Sequence, residues 1–333
     1  MRSTGRVTIG DVARTAGVSV ATVSKVINGR YGVALETSRH VQEVIDQLGY
    51  ESSIVARSLR SRRTNVIGIL VAEFEPFSTE LLKGISEAVD GTGYELLAYS
   101  GGLRRDDRVG WEQRYLSRLG GTLIDGAILV TPTVVAPGNS IPVVAVDPHR
   151  GPSGPPTVDS DNLAGARAAT EHLLSLGHRR IGFLAGRPDL ESARLREQGY
   201  REALAEAGVT FDPELVRVGG YRPDLADSPA HELLSLPERP TAIFAANDLS
   251  AIRTMEVAAE LGLRVPDDVS VVGFDNVPES ALTTPPLTTV DQPIHRMGAE
   301  ALRLIVDLVE GNPREPHVRL PTTLVVRGTT RPL

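Results

Sequence analysis

The chain contains no cysteine, which excludes disulfides, thiolate metal sites and cysteine nucleophiles together. It has no run of about 18 apolar residues, the length a membrane-spanning helix needs. The basic opening, Met1-Arg2-Ser3-Thr4-Gly5-Arg6, is not followed by the apolar core of a signal peptide. These absences lead us to expect a cytoplasmic protein without a membrane partner. Lysine is nearly missing as well: Lys25 and Lys83 are the two lysines among 35 basic residues, a bias we assign to coding and not to function.

Catalytic signatures are also lacking. Gly91-Thr92-Gly93-Tyr94-Glu95-Leu96 is the nearest approach to a dinucleotide fingerprint, but it lacks the final glycine and precedes a strand where it should follow one. No Walker-type phosphate loop occurs. His231-Glu232-Leu233-Leu234-Ser235 lacks the second histidine of a zinc protease, and there is no Gly-x-Ser-x-Gly elbow. Seven histidines are scattered along the chain, and Asp267-Asp268 follow a proline in a turn, where solvated carboxylates are the ordinary outcome. No catalytic residue, metal ligand or cofactor is expected.

What the chain does have is size and a charge asymmetry. Its 333 residues, 41% hydrophobic, suffice for two or three compact units. Residues 1–64 carry ten basic and five acidic side chains, a balance of +5, whereas the remainder is at −12. A basic head on an acidic body suggests a nucleic-acid-binding segment on a body that avoids nucleic acid, with chance asymmetry as the alternative.

Within the head, Thr8-Ile9-Gly10-Asp11 has the spacing of a helix cap with an acid three residues on. The helix it opens stops near Gly17, and Ser19 caps a second, Val20-Ala21-Thr22-Val23-Ser24-Lys25-Val26-Ile27, ended by Asn28-Gly29. Two short helices joined by a glycine-containing turn form a helix-turn-helix. A third helix is expected from about Thr37, because Val41, Val44, Ile45 and Leu48 recur at helical spacing before Gly49. The outward face of the second helix is small and polar. Val20 and Ala21 are suited to thymine methyls, and Lys25 to guanine or phosphate. A plain three-helix bundle is the alternative.

From Thr64 onward, short apolar runs at 66–71, 95–98, 127–130 and 143–146 alternate with helical stretches at 81–89 and 112–119. A second set of runs follows at 181–185, 216–218, 242–245 and 269–273, with helices at 162–176, 193–207, 250–261 and 297–309. Such alternation implies parallel sheets covered on both faces, in two successive sets. Ligands in these folds bind at the carboxyl ends of strands and between lobes.

The head, from Val7-Thr8-Ile9-Gly10-Asp11-Val12-Ala13 through Ala16-Gly17-Val18-Ser19-Val20-Ala21-Thr22-Val23-Ser24-Lys25-Val26-Ile27-Asn28, closely resembles that of the lactose-repressor (LacI/GalR) family. The resemblance continues through Val158-Asp159-Ser160-Asp161-Asn162, Leu176-Gly177-His178-Arg179-Arg180-Ile181, Arg194-Leu195-Arg196-Glu197-Gln198-Gly199-Tyr200, Ala245-Ala246-Asn247-Asp248 and Val272-Gly273-Phe274-Asp275-Asn276. It thus covers nearly the whole chain. It implies an all-α helix-turn-helix head and an α/β body like periplasmic sugar-binding proteins, with two Rossmann-like lobes, three crossovers and an effector cleft. The expected boundaries are 1–51 for the head, 52–64 for a hinge helix and linker, and 65–333 for effector binding and dimerisation. Within the body, the N-lobe takes about 65–161 plus 291–320 and the C-lobe about 162–290 plus 321–333.

The resemblance also implies site residues. In the head these are Thr8, Ser19, Val20, Ala21, Thr22, Ser24, Lys25 and Asn28. The family more often has arginine where Lys25 stands, which leaves open the base it reads. Residues 53–60 look like the family's hinge helix, whose leucine wedges a minor-groove base step. Leu59 matches that leucine and Ala56 a residue facing the groove floor, with Arg57 and Arg60 beside phosphates. This chain departs from the usual Tyr-x-Pro-Asn, reading Tyr50-Glu51-Ser52-Ser53, so a more labile hinge is expected; a plain basic linker is the alternative.

For the effector cleft the resemblance implies Arg196, Asn247 and Asp275, with Asp147, Gln292 and an aromatic Tyr221 after Gly219-Gly220. For Asp275 a helix-capping role is an alternative. The loop Glu73-Phe74-Glu75-Pro76-Phe77-Ser78, with Phe77, is expected to cap the cleft. An arginine, carboxylates, amides and an aromatic suit a polyhydroxylated ligand.

The function implied is a homodimeric, allosteric repressor of carbohydrate-utilisation genes on a palindromic double-stranded operator. The absence of a heptad repeat before Leu333 favours a dimer over a coiled-coil tetramer. A purine-controlled regulator, an activator, and a cytoplasmic sugar-binding protein without DNA-linked switching are the alternatives.

Overall fold

The computed structural model describes residues 7–27, 31–50, 63–101, 110–133, 141–150, 154–312 and 316–333. Asn28, the hinge segment and its Ala56, Arg57, Leu59 and Arg60 lie outside the described residues. The chain divides into two units, Met1–Thr64 and Asn65–Leu333.

In the first unit, α1 (Ile9–Thr15) opens with a capping box: Asp11 N–H donates to the Thr8 hydroxyl at 3.3 Å, and Thr8 N–H donates to the Asp11 carboxylate at 3.0 Å. Gly17, at φ +66°, makes the turn. The Ser19 hydroxyl accepts from Thr22 N–H at 3.1 Å at the start of α2 (Val20–Ile27). The third helix, α3 (Leu35–Leu48), begins two residues before Thr37, where the apolar pattern placed its start, and closes on left-handed Gly49. Val12, Ala13, Ala16, Val23, Val41 and Val44 form the buried core of this unit.

The second unit holds two six-stranded sheets. The N-lobe is built from β1 (Val66–Val71), α4 (Pro76–Ala88), β2 (Glu95–Ser100), α5 (Trp111–Leu119), β3 (Gly126–Val130), β4 (Val143–Val146) and β5 (Thr157–Ser160). The chain then crosses to the C-lobe through α6 (Asn162–Ser175), β6 (Ile181–Ala185), α7 (Glu191–Glu206), β7 (Val216–Val218) and α8 (Pro223–Leu234). There it continues through β8 (Ala242–Ala245), α9 (Asp248–Glu260), β9 (Ser270–Asp275), α10 (Pro278–Leu282) and β10 (Thr288–Asp291). It returns with α11 (Ile294–Glu310) and β11 (His317–Leu320) and crosses a third time to β12 (Thr323–Val325).

Strand order is β2-β1-β3-β4-β5-β11 in the N-lobe, all parallel, and β7-β6-β8-β9-β10-β12 in the C-lobe, with only β12 antiparallel. Central strands β1, β3 and β4 are buried along their whole length, which is why they read as unbroken apolar runs.

Four strands escaped that pattern. β5, β10, β11 and β12 carry Thr, Asp, His and Arg, and β10 buries its polar groups by pairing them. The Thr289 hydroxyl donates to Asp248 at 2.5 Å, and the Thr288 hydroxyl accepts from Arg327 N–H at 2.9 Å.

The segment expected as a loop through Ser78 is instead the start of α4, five residues earlier than the apolar spacing indicated. Pro76 occupies its first turn, and Ser78 Oγ accepts from Glu75 N–H at 3.0 Å. A close crossing holds α4 on α11. A Cβ on Gly84 would lie 2.1 Å from the His295 carbonyl oxygen, and one on Gly298 2.4 Å from that of Leu81, so the two backbones nearly touch.

Candidate functional site

A cavity of about 140 Å³ lies between the two lobes. That is roughly ten times the space one water requires. Its walls are the segments that leave the carboxyl ends of strands: 72–77 after β1, Thr131 and Thr133 after β3, and Asp147 and His149 after β4. From the C-lobe come 187–196 after β6, 220–225 after β7, Asn247 and Leu249 after β8, Asp275 and Val277 at β9, and Gln292 after β10. All seven residues expected in the cleft, Phe77, Asp147, Arg196, Tyr221, Asn247, Asp275 and Gln292, line this one cavity.

Arg196 organises the C-lobe wall. It projects from α7, is 3% exposed, and stacks its guanidinium 3.7 Å from the centre of the Phe274 ring. Its Nε donates to Asn162 Oδ1 at 2.8 Å, and Nη1 donates to the Ala246 carbonyl and to Asp275 at 3.3 Å. Asp275 in turn accepts from Gln292 Nε2 at 2.6 Å, and Gln292 Oε1 accepts from Ser160 Oγ at 2.6 Å. This chain of bonds runs through two of the segments that pass between lobes. Asn247 caps α9 by accepting from Ser250 N–H at 3.1 Å, and its amide donates to the Tyr221 carbonyl at 3.0 Å. Asp275 caps no helix; the residue before α10 is Val277.

Backbone strain gathers at the same place. Of the six non-glycine residues with positive φ among the described residues, four line the cavity: Thr131 (+45°), Asp147 (+48°), Tyr221 (+69°) and Asp275 (+109°). Such conformations cost of order 1 kcal/mol or more each and persist where the surrounding fold enforces them. They turn side chains at strand ends into the cleft. The Tyr221 ring lies on Gly186, the residue after β6, where a Cβ would sit 2.1 Å from Tyr221 Cζ. The Tyr221 hydroxyl is buried beside Ser192 and Arg196.

Burial dominates the electrostatics. It raises the Asp147 carboxyl, against the opposing pull of Arg196. It raises Asp275 to about 6, again against Arg196. Glu75 rises to about 7 through burial and the nearby charges of Asp275 and Glu73. His149 falls to about 4 through burial and the Arg187 charge, so it is neutral near pH 7. Polar contacts also join the lobes at the rim: Arg222 pairs with Glu73 at 2.7 Å, His149 meets Asp189 at 3.3 Å, and Arg194 donates to the His149 carbonyl at 3.2 Å.

Several lining residues had no place in the sequence reading, among them Trp111, Thr131, Thr133, His149, Arg187, Ser192 and Arg222. Thr131, His149 and Arg187 each stand within three residues of a strand's carboxyl end, so position alone could have found them. Trp111 could not be found that way, because it opens α5.

On the head, Val20 (45% exposed), Ala21 and Lys25 face outward from α2, while Thr22 and Ser24 are half-buried. The hydroxyls of Thr8 and Ser19 serve as helix caps, and Thr22 Oγ1 lies 2.9 Å from Ser19 Oγ. The free outward surface of α2 is therefore narrower than its sequence suggested, and centres on Val20, Ala21 and Lys25.

Comparison with known proteins accounts for both units. A family model described as bacterial regulatory proteins, lacI family, matches residues 8–53, and one described as a periplasmic binding protein-like domain matches residues 170–330. The HTH-type transcriptional repressor PurR of Photobacterium profundum is 34% identical over 337 residues, spanning 98% of this chain and 99% of that protein. Among solved structures, the complex of the transcriptional regulator CelR with cellobiose is 34% identical with a TM-score of 0.71, covering 97% of this chain and 100% of that one. The lac repressor dimer bound to operator and the anti-inducer ONPF is 28% identical with a TM-score of 0.84, covering 98% and 100%. With a near full-length relative at this identity and a helix-turn-helix head joined to a two-lobed body, the chain belongs to the lacI family of bacterial regulatory proteins, a family of DNA-binding transcriptional regulators.

Proposed function

We propose that this protein is a homodimeric repressor that reads a palindromic operator through Val20, Ala21 and Lys25 and is controlled by a carbohydrate bound between its lobes. The observation that carries the effector reading is the convergence of seven expected residues, drawn from both lobes, on one cavity. Phe77 and Asp147 belong to the N-lobe, and Arg196, Tyr221, Asn247 and Asp275 to the C-lobe, with Gln292 on the segment between them. A ligand touching both walls binds most tightly at one lobe spacing, and that difference in affinity is what shifts a conformational equilibrium. The polar groups supply donors and acceptors for hydroxyls, and Tyr221 a ring face. Binding and switching need no catalytic group, metal or cofactor.

The purine reading draws support from the similarity to PurR and from the flat faces of Trp111 and Phe77 in the N-lobe wall. Two measurements test the proposal. Fluorescence anisotropy on candidate palindromic operators and on random duplexes should give a sequence preference that Lys25→Ala weakens; equal affinity for every duplex would refute the DNA reading. A thermal-shift screen of mono- and disaccharides against purine bases should stabilise the protein with sugars. Stabilisation by purines alone would establish the second reading.

A further inference from the structure

The cleft has more acid than its own cations neutralise. Glu75, Asp147 and Asp275 all face the cavity. Arg196 is committed to Asp275, Asn162 and the Ala246 carbonyl. Arg222 is held by Glu73 at 2.7 Å and Asp224 at 3.0 Å, and Arg187 by Asp189 at 2.6 Å. No ion pair with Glu75 or Asp147 forms among the described residues, although Asp147 is buried and Glu75 half-buried. A buried carboxylate without a cation is costly, and a ligand that brings the cation removes that cost. Three aromatic side chains, Phe77, Trp111 and Tyr221, line the same space, and an ammonium group is attracted to the faces of such rings.

We propose that the effector carries a protonated amine, as an amino sugar does, and that Glu75 and Asp147 receive it. This deepens the carbohydrate reading of the cleft and rests on it. Glu75, as the residue that caps α4, joins the amine to the N-lobe, and Asp147 joins it to the end of β4. Sugars bearing phosphate or carboxylate groups are then disfavoured by the same two acids.

Isothermal titration of the full chain tests this with probes of matched skeleton: cellobiose, the β-1,4-linked glucosamine disaccharide, and cellobionate. The aminated disaccharide should bind at least tenfold more tightly than cellobiose, and cellobionate more weakly than either. Glu75→Gln and Asp147→Asn should each reduce the amine preference, read as the ratio of the two affinities in the same variant, to threefold or less. If Asp147→Asn does not fold, Glu75→Gln, at a helix start, carries the variant arm, and the wild-type comparison needs no variant. Equal or tighter binding of cellobiose, or an amine preference that survives both substitutions, would overturn the proposal and leave the carbohydrate reading standing. Binding of purine bases with no sugar bound would overturn both.

Discussion

The ring of Tyr221 rests directly on the Cα of Gly186, so closely that a methyl group there would meet Tyr221 Cζ at 2.1 Å. Tyr221 adopts φ +69° to reach this position, and its hydroxyl is buried beside Ser192. Gly186→Ala must push the ring toward the cavity, since the obstruction is the side chain and not backbone. The variant is expected to fold and to bind operator as the wild type does, but to lose at least tenfold in effector affinity. Titration calorimetry beside operator anisotropy checks this, and unchanged effector affinity would show that the ring takes no part in recognition.

Arg196 and Asp275 form a buried ion pair at 3.3 Å. Removing one member of such a pair strands the other charge, at a cost of about 3 kcal/mol or more. Arg196→Met should lower the urea midpoint accordingly and abolish effector binding. Adding Asp275→Asn should recover more than half of the lost stability, because the stranded carboxylate is then gone. A double-mutant cycle by urea denaturation reads the coupling directly, and strictly additive losses would mean that the pair does not interact.

Glu75 should contribute a loss of stability in the ligand-free protein as pH rises from about 6.5 to 8. Burial, with Asp275 and Glu73 nearby, lifts Glu75 from 4.5 to about 7. Between those values the folded chain holds a proton that the unfolded chain has released, so stability is lost as pH rises through the folded value. Asp275, raised to about 6, acts in the same direction at lower pH. His149, depressed to about 4, and His172 and His178, also lowered by burial, oppose both while their unfolded imidazoles titrate near 6.5, so the share of Glu75 is read as the difference between the wild type and Glu75→Gln. Across that window the thermal midpoint of the wild type should fall relative to that of Glu75→Gln as pH rises; an identical pH dependence in the two would exclude a contribution from Glu75.

The crossing of α4 and α11 leaves no room at Gly84, where a Cβ would lie 2.1 Å from the His295 carbonyl oxygen. Backbone cannot swing aside as a side chain can. Gly84→Ala should therefore destabilise the body by about 1–3 kcal/mol, the usual range for overpacking, measured as a lowered unfolding midpoint. The stability of the isolated head, Met1–Thr64, is expected to be unaffected.

Much of this protein was legible in one dimension. The capping box of Thr8 and Asp11, the glycine turn at Gly17 and the serine cap at Ser19 are local devices, made by residues three apart, so their spacing sufficed to place α1 and α2. The central strands were equally plain, because a parallel strand buried on both faces must be apolar throughout. The start of α4 was misplaced because a capping acid, a proline and a serine resemble a loop until the helix they open is seen. β10 was missed because its threonines are buried only by virtue of distant partners, Asp248 and Arg327.

The seven cleft residues were identified by family resemblance, one motif at a time, and nothing local to any of them says what it faces. Sequence by itself determined the caps, the apolar strand cores and the identity of the groups available for binding, since each of these is written in neighbouring residues. Tertiary structure alone decided that Tyr221 lies on Gly186, that Arg196 pairs with Asp275, and that Glu75 and Asp147 form no ion pair among the described residues. Charge balance and burial depend on residues brought together from across the chain, and only the folded packing of the two lobes brings them there.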